Sequence, residues 1–501
     1  MKNNNIRYSV IVHMIRTITV TILSFISFPF ACRALGDAGM GTYTWANTFV
    51  YYFLTLAKLG IPTIAIRECT KVRDDKEALS HKAQEFFLLQ AILTLLSFGL
   101  MVTIMVASQG ELWKNRALIF LLSTNFLVGA FSFEWIYIAL EKHYYTAFRS
   151  ILALATSALL ILLYIKLPEN GIVRPFEEQI YLYAFFACMT TYITVFLNLF
   201  FLHRHISFKK TRPYQLKSYI KPLVVVFGLS IVLTLYNQND SFILGLMDPT
   251  KKEVGSYSVG IKAIEVVITL ITSLSAVFIP RATYYYQMEN KVFFHNLTRY
   301  SMNICCFIAL PAIATLTTLS HSVTGLISGA NGYENAATTL IILASMTLTY
   351  SISDMIYNSI LLPMGKEKIY LYTMSGGMLS NLLLSVILAK VFSSSPSIGI
   401  ALATSITDFI ILFVLIYLTR EYSFKAIFNK NNLKILVSAI VVAVISYFAN
   451  RYLSVFNYSY FEKIIIILLF DAFIYVGLLL ILNENLVCSF IRHKKEAELT
   501  K

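Results

Sequence analysis

Long apolar runs recur along the whole chain, and they constrain its fold more than any other feature. A run of about 20 apolar residues matches the length of an α-helix that crosses the ~30 Å hydrocarbon core of a bilayer. Fourteen such runs predict an all-α, polytopic membrane protein with about fourteen transmembrane helices. We predict these helices at residues 8–32, 42–66, 84–107, 117–140, 147–165, 180–202, 222–247, 255–279, 300–320, 337–362, 370–389, 398–419, 435–450 and 464–482.

The segments between the predicted helices are too short to form a soluble catalytic domain. Charged residues make up 14% of the chain, against roughly 25% in soluble domains. The sequence contains no P-loop, no catalytic grouping of Ser, His and Asp, and no metal-ligand spacing. Its six cysteines lie in or beside the predicted helices, and we interpret them as packing residues. We therefore expect a transporter that uses neither a cofactor nor a metal.

Three glycines fall within "ALGDAGMGTY", residues 34–43, where they look like a phosphate-binding loop. Such a loop follows a strand and precedes a helix in a soluble α/β unit, whereas residues 34–43 join two apolar runs. We therefore predict a tight turn between the first two helices, in which Gly36, Gly39 and Gly41 serve the turn and close packing.

The distribution of lysine and arginine predicts the orientation in the membrane. Short connections that are rich in these residues stay on the cytoplasmic side. With the N-terminus inside, most of the 41 Lys and Arg residues fall in cytoplasmic connections, above all in residues 203–221, whereas residues 321–335 lie outside and contain neither type. Both termini are therefore predicted to be cytoplasmic. The net charge of +14 then faces anionic lipid headgroups and does not indicate nucleic acid.

An internal repeat relates the two halves of the chain at an offset of 214 residues. Six predicted helices separate the copies, and because six is even the repeats are parallel. We predict an N-terminal lobe (1–221, helices 1–6), a C-terminal lobe (222–433, helices 7–12) related by a pseudo-two-fold axis, and an added pair of helices with a cytoplasmic tail (434–501). The identities pair Gly41, Tyr43, Thr55, Leu56 and Arg67 with Gly255, Tyr257, Thr269, Leu270 and Arg281.

The first copy, "RALGDAGMGTYTWANTFVYYFLTLAKLGIPTIAIRECTK", resembles the opening signature of Wzx-type polysaccharide-repeat-unit flippases. These belong to the MOP superfamily, which also holds MurJ and the MATE exporters. The matching residues are Arg33, Leu35, Gly36, Gly41, Tyr43, Leu59, Gly60 and Arg67. The segment "DSFILGLMDPTKKEVGSYSVGIKA" is similar to the family pattern after helix seven, through Asp240, Leu244, Gly245, Gly255 and Tyr257.

The resemblance implies that the chain moves a polyprenyl-diphosphate-linked oligosaccharide from the inner to the outer leaflet of the bacterial cytoplasmic membrane by alternating access. The product would be a surface polymer such as capsule or O-antigen. A polysaccharide polymerase and glycosyltransferases of the same pathway are the expected partners. Because a diphosphate and several sugars cannot cross hydrocarbon unaided, such a protein needs a water-filled cavity between its lobes.

Polar stripes on three predicted helices are candidate walls of that cavity. At 100° per residue, the members of each stripe fall on one helix face. The stripes are His13, Arg16, Thr17, Ser24 and Ser27 on helix one; Thr44, Asn47, Tyr51, Thr55 and Lys58 on helix two; and Ser258, Lys262, Glu265, Thr269 and Thr272 on helix eight.

Cations in these stripes are candidate ligands for the diphosphate. Arg16 and Lys58 have similar predicted depths near the inner leaflet, and Lys262 lies nearer the outer end of its helix, where it would receive the headgroup in an outward-open state. Asn47 and Tyr51 are candidate contacts to the substrate in the same cavity. The structural alternative is that these cations snorkel to the interface or form a salt bridge with Glu134.

Acidic residues distinguish the second half. Asp240 and Lys262 have similar predicted depths, which favours an ion pair; the alternative is that Asp240 or Glu265 binds a coupling proton or sodium ion. The stretch "YNQNDS", residues 236–241, is polar at membrane depth, and a break of the helix there would expose backbone groups to a cavity. Further intramembrane carboxylates are Asp354, Asp408 and Asp471.

Three other functions compete with this interpretation. A lipid II flippase would share every feature described above, so substrate alone separates it. A MATE-like, ion-coupled drug exporter would need an acidic cavity, which Arg16 and Lys58 disfavour. An enzyme of polysaccharide assembly would need the soluble domain that the short connections exclude. The sequence does not identify the sugar unit.

Overall fold

The computed structural model describes residues 3–165, 176–209, 213–329, 332–456 and 458–491, and these residues form helices and connections without any strand. The helices are α1 (Asn3–Lys58), α2 (Ile61–Lys71), α3 (Lys76–Ser108), α4 (Glu111–Lys114), α5 (Arg116–Gly129), α6 (Glu134–Ala139), α7 (His143–Tyr164), α8 (Phe176–Leu202), α9 (Lys217–Met247), α10 (Lys252–Gln287), α11 (Lys291–Thr318), α12 (Ser320–Ser328), α13 (Ala336–Leu343), α14 (Met346–Ile356), α15 (Glu367–Val391), α16 (Pro396–Leu418), α17 (Arg420–Ile427), α18 (Lys430–Leu453), α19 (Tyr460–Ile481) and α20 (Asn485–Ile491).

Thirteen helical stretches of the described residues are long and apolar enough to cross a membrane. The first, Met14–Lys71, has 58 residues. At about 1.5 Å per residue it is more than twice as long as the ~30 Å hydrocarbon core. It therefore accommodates two crossings, and it covers residues 14–32 of the first predicted helix and the whole of the second. The all-α, multi-pass membrane fold is confirmed.

A single glycine replaces the turn that was predicted over residues 34–43. Only Gly36 departs from helical geometry, with φ 67° and ψ −179°, and the chain is helical on both sides of it. This backbone conformation is one that side chains with a Cβ rarely adopt. The break thus lies within the segment where the tight turn was predicted, but it is shorter than predicted because one glycine suffices to kink the chain.

Close packing is the role that the structure gives to Gly41. A Cβ at Gly41 would overlap the carbonyl oxygen of Lys251, and a Cβ at Gly255 would overlap the carbonyl oxygen of Asp37. Lys251 itself is buried; its Nζ donates to the carbonyl oxygen of Gly245 and lies 4.4 Å from the centroid of the Trp45 ring. Burial lowers the pKa of Lys251. The two glycines of the repeat thus allow α1 to touch the connection between α9 and α10.

Several helices differ from the predicted apolar runs at their ends or in their continuity. The run 117–140 is divided between α5 and α6, and the run 337–362 between α13, α14 and a π-helical turn at Tyr357–Leu361. Hydropathy marks depth in a membrane and is insensitive to such breaks. By contrast, α9 continues without interruption through "YNQNDS", so the break considered there does not occur.

The chain separates into two compact units, Met1–Gly255 and Ser256–Lys501. In the first unit, α1 packs against α3, α5, α7, α8 and α9. In the second, α11 packs against α14, α17 and α18, and α18 packs against α19. The predicted lobe boundaries at 221/222 and 433/434 remain predictions.

Candidate functional site

Two arginines of the first unit converge on the carboxylate of Glu134. Arg149 Nη2 lies 2.7 Å from Glu134 Oε1, and Arg16 Nη2 lies 3.8 Å from the same oxygen. The salt bridge between Arg16 and Glu134, considered from the sequence as the alternative to a phosphate contact, is therefore present. The contact of Arg16 with Glu134 is longer than that of Arg149, because Arg149 already donates a hydrogen bond to the same carboxylate oxygen.

A break in the helix backbone places Glu134 at this position. The chain leaves α5 at Gly129, Phe133 adopts a left-handed conformation with φ 43°, and Glu134 begins α6. Asn198 of α8 holds the break, since its Nδ2 donates to the carbonyl oxygen of Ser132. The result is a carboxylate at the start of a short helix inside a membrane-spanning region.

Arg149 is the functional candidate that sequence reasoning missed. Only 1% of its surface is exposed, and its Nη1 donates to Asn198 Oδ1 at 2.5 Å while Nη2 donates to Glu134. A buried charge requires partners of this kind. The available signal was the arginine itself, because a charge within an apolar run usually faces protein or an aqueous cavity.

Lys58 lies at a second break, at the C-terminal end of α1. Leu59 and Gly60 have positive φ angles of 41° and 72°, and α2 begins after them with Pro62 in its first turn. Lys58 shares a small cavity of about 30 Å³ with Ser132 and Trp135 from the region of the other break. That volume holds about one water molecule. The two breaks therefore border the same space.

The charge balance of this cluster is positive. Arg16, Arg149 and Lys58 contribute three cations against the single carboxylate of Glu134. The Lys58 side chain is exposed and makes no hydrogen bond within the part of the chain that the structure describes, and 29% of the Arg16 side chain is exposed. We call Arg16, Lys58, Glu134 and Arg149 the cation cluster.

Asn47 and Tyr51 lie on the same helical segment of α1 as Lys58. Tyr51 is exposed and Asn47 is half-buried. Other residues of this segment bind α9, since the Thr55 and Thr234 hydroxyl oxygens are 3.2 Å apart and the Thr48 hydroxyl donates to Gln238 Oε1 at 3.3 Å. Part of the polar stripe thus serves helix packing. The side chain of His13 lies outside the described part.

The charged residues predicted on helix eight pair with each other in the second unit. Lys262 Nζ lies 2.8 Å from Glu265 Oε2, three residues further along α10. Glu265 is exposed, whereas Asp240, on α9 of the first unit, is buried. The proposed pairing of Lys262 with Asp240 and the proposed ion site at Asp240 or Glu265 remain predictions.

Asp354 carries a polar network that the sequence did not indicate. Its Oδ2 accepts hydrogen bonds from the Ser275 hydroxyl at 2.5 Å and from Asn358 Nδ2 at 3.0 Å. Within the described residues it has no lysine or arginine within 4 Å. Asn358 belongs to the π-helical turn at Tyr357–Leu361, and such turns are frequent at functional sites.

Solved membrane transporters have the same fold. The chain is similar to lipid II flippase MurJ in an inward closed conformation, with a TM-score of 0.61 and 17% identity over 96% of this chain and 98% of that one. It is similar to an inward-facing multidrug resistance MATE family transporter of the MOP superfamily, with a TM-score of 0.59 and 15% identity over 83% and 99%. For the MATE multidrug transporter DinF-BH the values are 0.58 and 15%, over 86% and 98%. The chain therefore shares the fold of these three transporters.

A comparison of the amino-acid sequence with known families assigns the chain to one family. Residues 6–285, more than half of the chain, match the family described as "Polysaccharide biosynthesis protein". The chain belongs to this family. No curated protein matches its sequence.

Proposed function

We propose that this protein is a flippase that carries polyprenyl-diphosphate-linked polysaccharide repeat units from the inner to the outer leaflet of the bacterial cytoplasmic membrane. The observation that carries the proposal is the cation cluster, which places three positive charges around one carboxylate within a membrane-spanning unit. Membership of the polysaccharide biosynthesis family and the MOP-transporter fold support it.

The geometry of the cation cluster suits a diphosphate. Arginine presents a planar fork of donors that binds phosphate oxygens in pairs. Arg16 is the available arginine, because its only ion pair among the described residues is the 3.8 Å contact with Glu134 and because Arg149 already neutralises that carboxylate. We propose that the diphosphate takes Arg16 from Glu134 and adds a contact with Lys58, while Arg149 keeps Glu134 in place. Asn47 and Tyr51 would contact the substrate further along α1.

Alternating access would complete the cycle. In this scheme Lys262 leaves Glu265 and receives the diphosphate in an outward-open state, and the polyprenyl tail stays among membrane lipids. Coupling to a proton or sodium ion would involve Asp240 or Glu265, and Asp354 is a further candidate because its hydrogen-bond partners are neutral. Both termini would be cytoplasmic, and the partners would be the glycosyltransferases and polysaccharide polymerase of the same pathway.

Transport by the full-length chain in proteoliposomes tests the proposal. Lipid-linked repeat units from the producing bacterium are supplied on one side, and glycan that becomes accessible to a lectin on the other side is measured. We expect Arg16→Ala to lower the initial rate at least tenfold, because it removes the available arginine of the cation cluster. The matched control is Arg67→Ala, which removes an exposed arginine from α2. Equal rates for Arg16→Ala and the wild type would contradict the proposal.

A lipid II flippase is the second candidate, supported by the likeness in fold to lipid II flippase MurJ. Expression in a strain that lacks its lipid II flippase separates the two. Growth of that strain would favour lipid II as substrate, whereas loss of capsule or O-antigen alone on deletion of this gene favours the repeat unit. A MATE-like drug exporter is disfavoured by the positive charge of the cation cluster.

A further inference from the structure

A cavity of about 750 Å³ lies in the second unit. It forms where the connection between α10 and α11 meets the connection from the π-helical turn to α15 and the start of α17. Its volume falls within the range of roughly 300–1,000 Å³ that is typical of small-molecule sites. Because helices that cross a membrane alternate in direction, all three of these connections lie on one side, which the lysine and arginine distribution predicts to be cytoplasmic.

Aromatic rings form one wall of this cavity, which we call the tyrosine cavity. Its aromatic lining residues are Tyr285, Tyr286, Phe294 and Tyr422. Phe294 is buried, and its ring centroid is 5.5 Å from those of both Tyr286 and Tyr422. His295 stacks on Tyr422 at 4.8 Å. These contacts hold the rings of Tyr286 and Tyr422 in fixed positions while leaving Tyr286 exposed to the cavity.

Polar side chains form another part of the cavity wall. They are Gln287 at the end of α10, Glu289 and Asn290 in the connection that follows, and Lys291 at the start of α11, and all four are exposed. Asn290 is held in place because its Oδ1 accepts from the backbone N–H of Phe293 at 3.2 Å, which leaves its amide NH₂ as a donor. This wall therefore supplies amide, carboxylate and ammonium groups together, both donors and acceptors of hydrogen bonds.

A smaller cavity of about 190 Å³ extends the site. It shares Met364 and Tyr422 with the tyrosine cavity and adds Lys366, Arg420 and Glu421. The two cavities therefore adjoin, and together they form a groove whose charged groups carry both signs. Such a groove is poorly suited to a small cation or anion, which would need one sign, and poorly suited to an apolar drug, which would leave the polar wall unpaired.

A glycan has the complementary chemistry. The axial C–H groups of a pyranose ring form an apolar face that packs on an aromatic ring, while its hydroxyl groups donate to carboxylates and accept from amides and ammonium groups. We propose that the tyrosine cavity binds the glycan portion of the lipid-linked substrate on the side of the membrane from which it is loaded.

This inference rests on the proposed function and adds to it a place where the sugar unit is recognised. The cation cluster contacts groups that every polyprenyl diphosphate shares, so it has no means of selecting a sugar. The tyrosine cavity has that means, since stacking and hydrogen bonds depend on which hydroxyls are axial. Selection among repeat units is then a property of the second unit.

Calorimetric titration of the purified full-length chain tests the inference. The probe is the repeat-unit oligosaccharide released by mild acid from the lipid-linked precursor of the producing bacterium, free of lipid and phosphate. We expect saturable binding that Tyr286→Ala weakens by about tenfold, equal to roughly 1.4 kcal/mol, and that Tyr286→Phe preserves. Tyr284→Ala is the matched control, because Tyr284 is an exposed tyrosine of the same helix that does not line the cavity. Gln287→Ala removes only an exposed polar group and replaces Tyr286→Ala if that variant unfolds.

Three results would overturn the inference: no binding of the oligosaccharide by the wild type, equal binding by Tyr286→Ala and Tyr284→Ala, or tighter binding of a sugar nucleotide than of the oligosaccharide. Failure of the proposed function looks different. In that case the wild type binds the oligosaccharide and Tyr286→Ala weakens binding, yet proteoliposomes transport nothing. Conversely, Arg16→Ala should bind the free oligosaccharide as the wild type does while losing transport.

Discussion

The connections on the predicted cytoplasmic side differ between the two units. In the first unit they are tied to one another: Arg73 Nη1 lies 2.6 Å from Glu141 Oε1, and Lys142 Nζ lies 2.9 Å from His205 Nε2. In the second unit the corresponding connections surround the open tyrosine cavity. The internal repeat therefore extends to the helices but not to the connections between them, which make different contacts in the two units.

Glu85 is the centre of the tied region. It is fully buried, and its carboxylate accepts from the Tyr219 hydroxyl and the Gln215 backbone N–H, each at 2.7 Å, and from Lys82 Nζ at 3.2 Å. These bonds attach residues of the basic 203–221 segment to α3. A carboxylate with this many donors fixes Gln215 and Tyr219 against α3.

The repeated helix shows where the two units diverge. In the first copy the helix breaks at Leu59 and Gly60 and resumes as α2. In the second copy α10 runs without a break to Gln287. The continuous helix carries Tyr285, Tyr286 and Gln287 beyond the apolar run, and these residues line the tyrosine cavity.

The largest effect is expected from removal of Glu85. Glu85→Ala removes the acceptor of the Tyr219 hydroxyl and of the Gln215 N–H, and one of the two acceptors of Lys82 Nζ. Breaking a buried network of this kind costs about 3 kcal/mol of unfolding free energy. Glu289→Ala, in the second unit, should leave stability unchanged because Glu289 is exposed in the tyrosine cavity. The melting temperatures of both variants are measured by thermal unfolding in detergent. Equal melting temperatures would remove the distinction between a tied and an open region.

A smaller, pH-dependent effect is expected at His205. Burial and the nearby Lys142 lower the pKa of His205 below its usual 6.5, so the folded protein favours the neutral ring that accepts from Lys142. Because the unfolded chain then binds the proton more readily, the stabilisation is fully present above pH 6.5 and is lost as the pH falls through the folded-state pKa. His205→Asn should reduce the loss of melting temperature between pH 7.5 and 5.5. An unchanged pH profile would show that the contact with Lys142 does not tie these connections.

The smallest effect is expected at the ion pair between Arg73 and Glu141. Both side chains are partly exposed, and exposed ion pairs contribute little because water and salt screen them. The double variant Arg73→Ala with Glu141→Ala should melt close to the wild type at physiological salt. The contrary result in a double-mutant cycle is a coupling free energy between Arg73 and Glu141 as large as the stability lost in Glu85→Ala. That result would show that this ion pair, and not Glu85, contributes most to holding these connections together.

The sequence was sufficient for the fold, and it named part of the candidate site. Apolar runs of the right length require membrane helices, and charges within them, such as Arg16 and Lys58, require a polar surrounding. The breaks at Leu59–Gly60 and at 130–133 were not predictable, because hydropathy is the same for a straight and a broken helix. Arg149 was visible as a charge in an apolar run, but its pairing with Glu134 depends on the second break.

The tyrosine cavity could not be predicted for a different reason. It is formed by residues of three connections that are far apart in sequence, and 31 tyrosines offer no way to choose among them. Tyr285 and Tyr286 acquire their role only when α10 continues past its apolar run and Phe294 and Tyr422 pack beside them.

The contact between the two repeated glycines also limits what the repeat can show about common descent of the two halves. At Gly41 and Gly255 a backbone carbonyl occupies the place of a Cβ, so every other amino acid is sterically excluded from both positions. Their identity is a property of the crossing, and two segments of unrelated ancestry that approached so closely would need glycine there as well. Evidence for common descent of the two halves therefore has to come from positions where the contact leaves the choice of residue open.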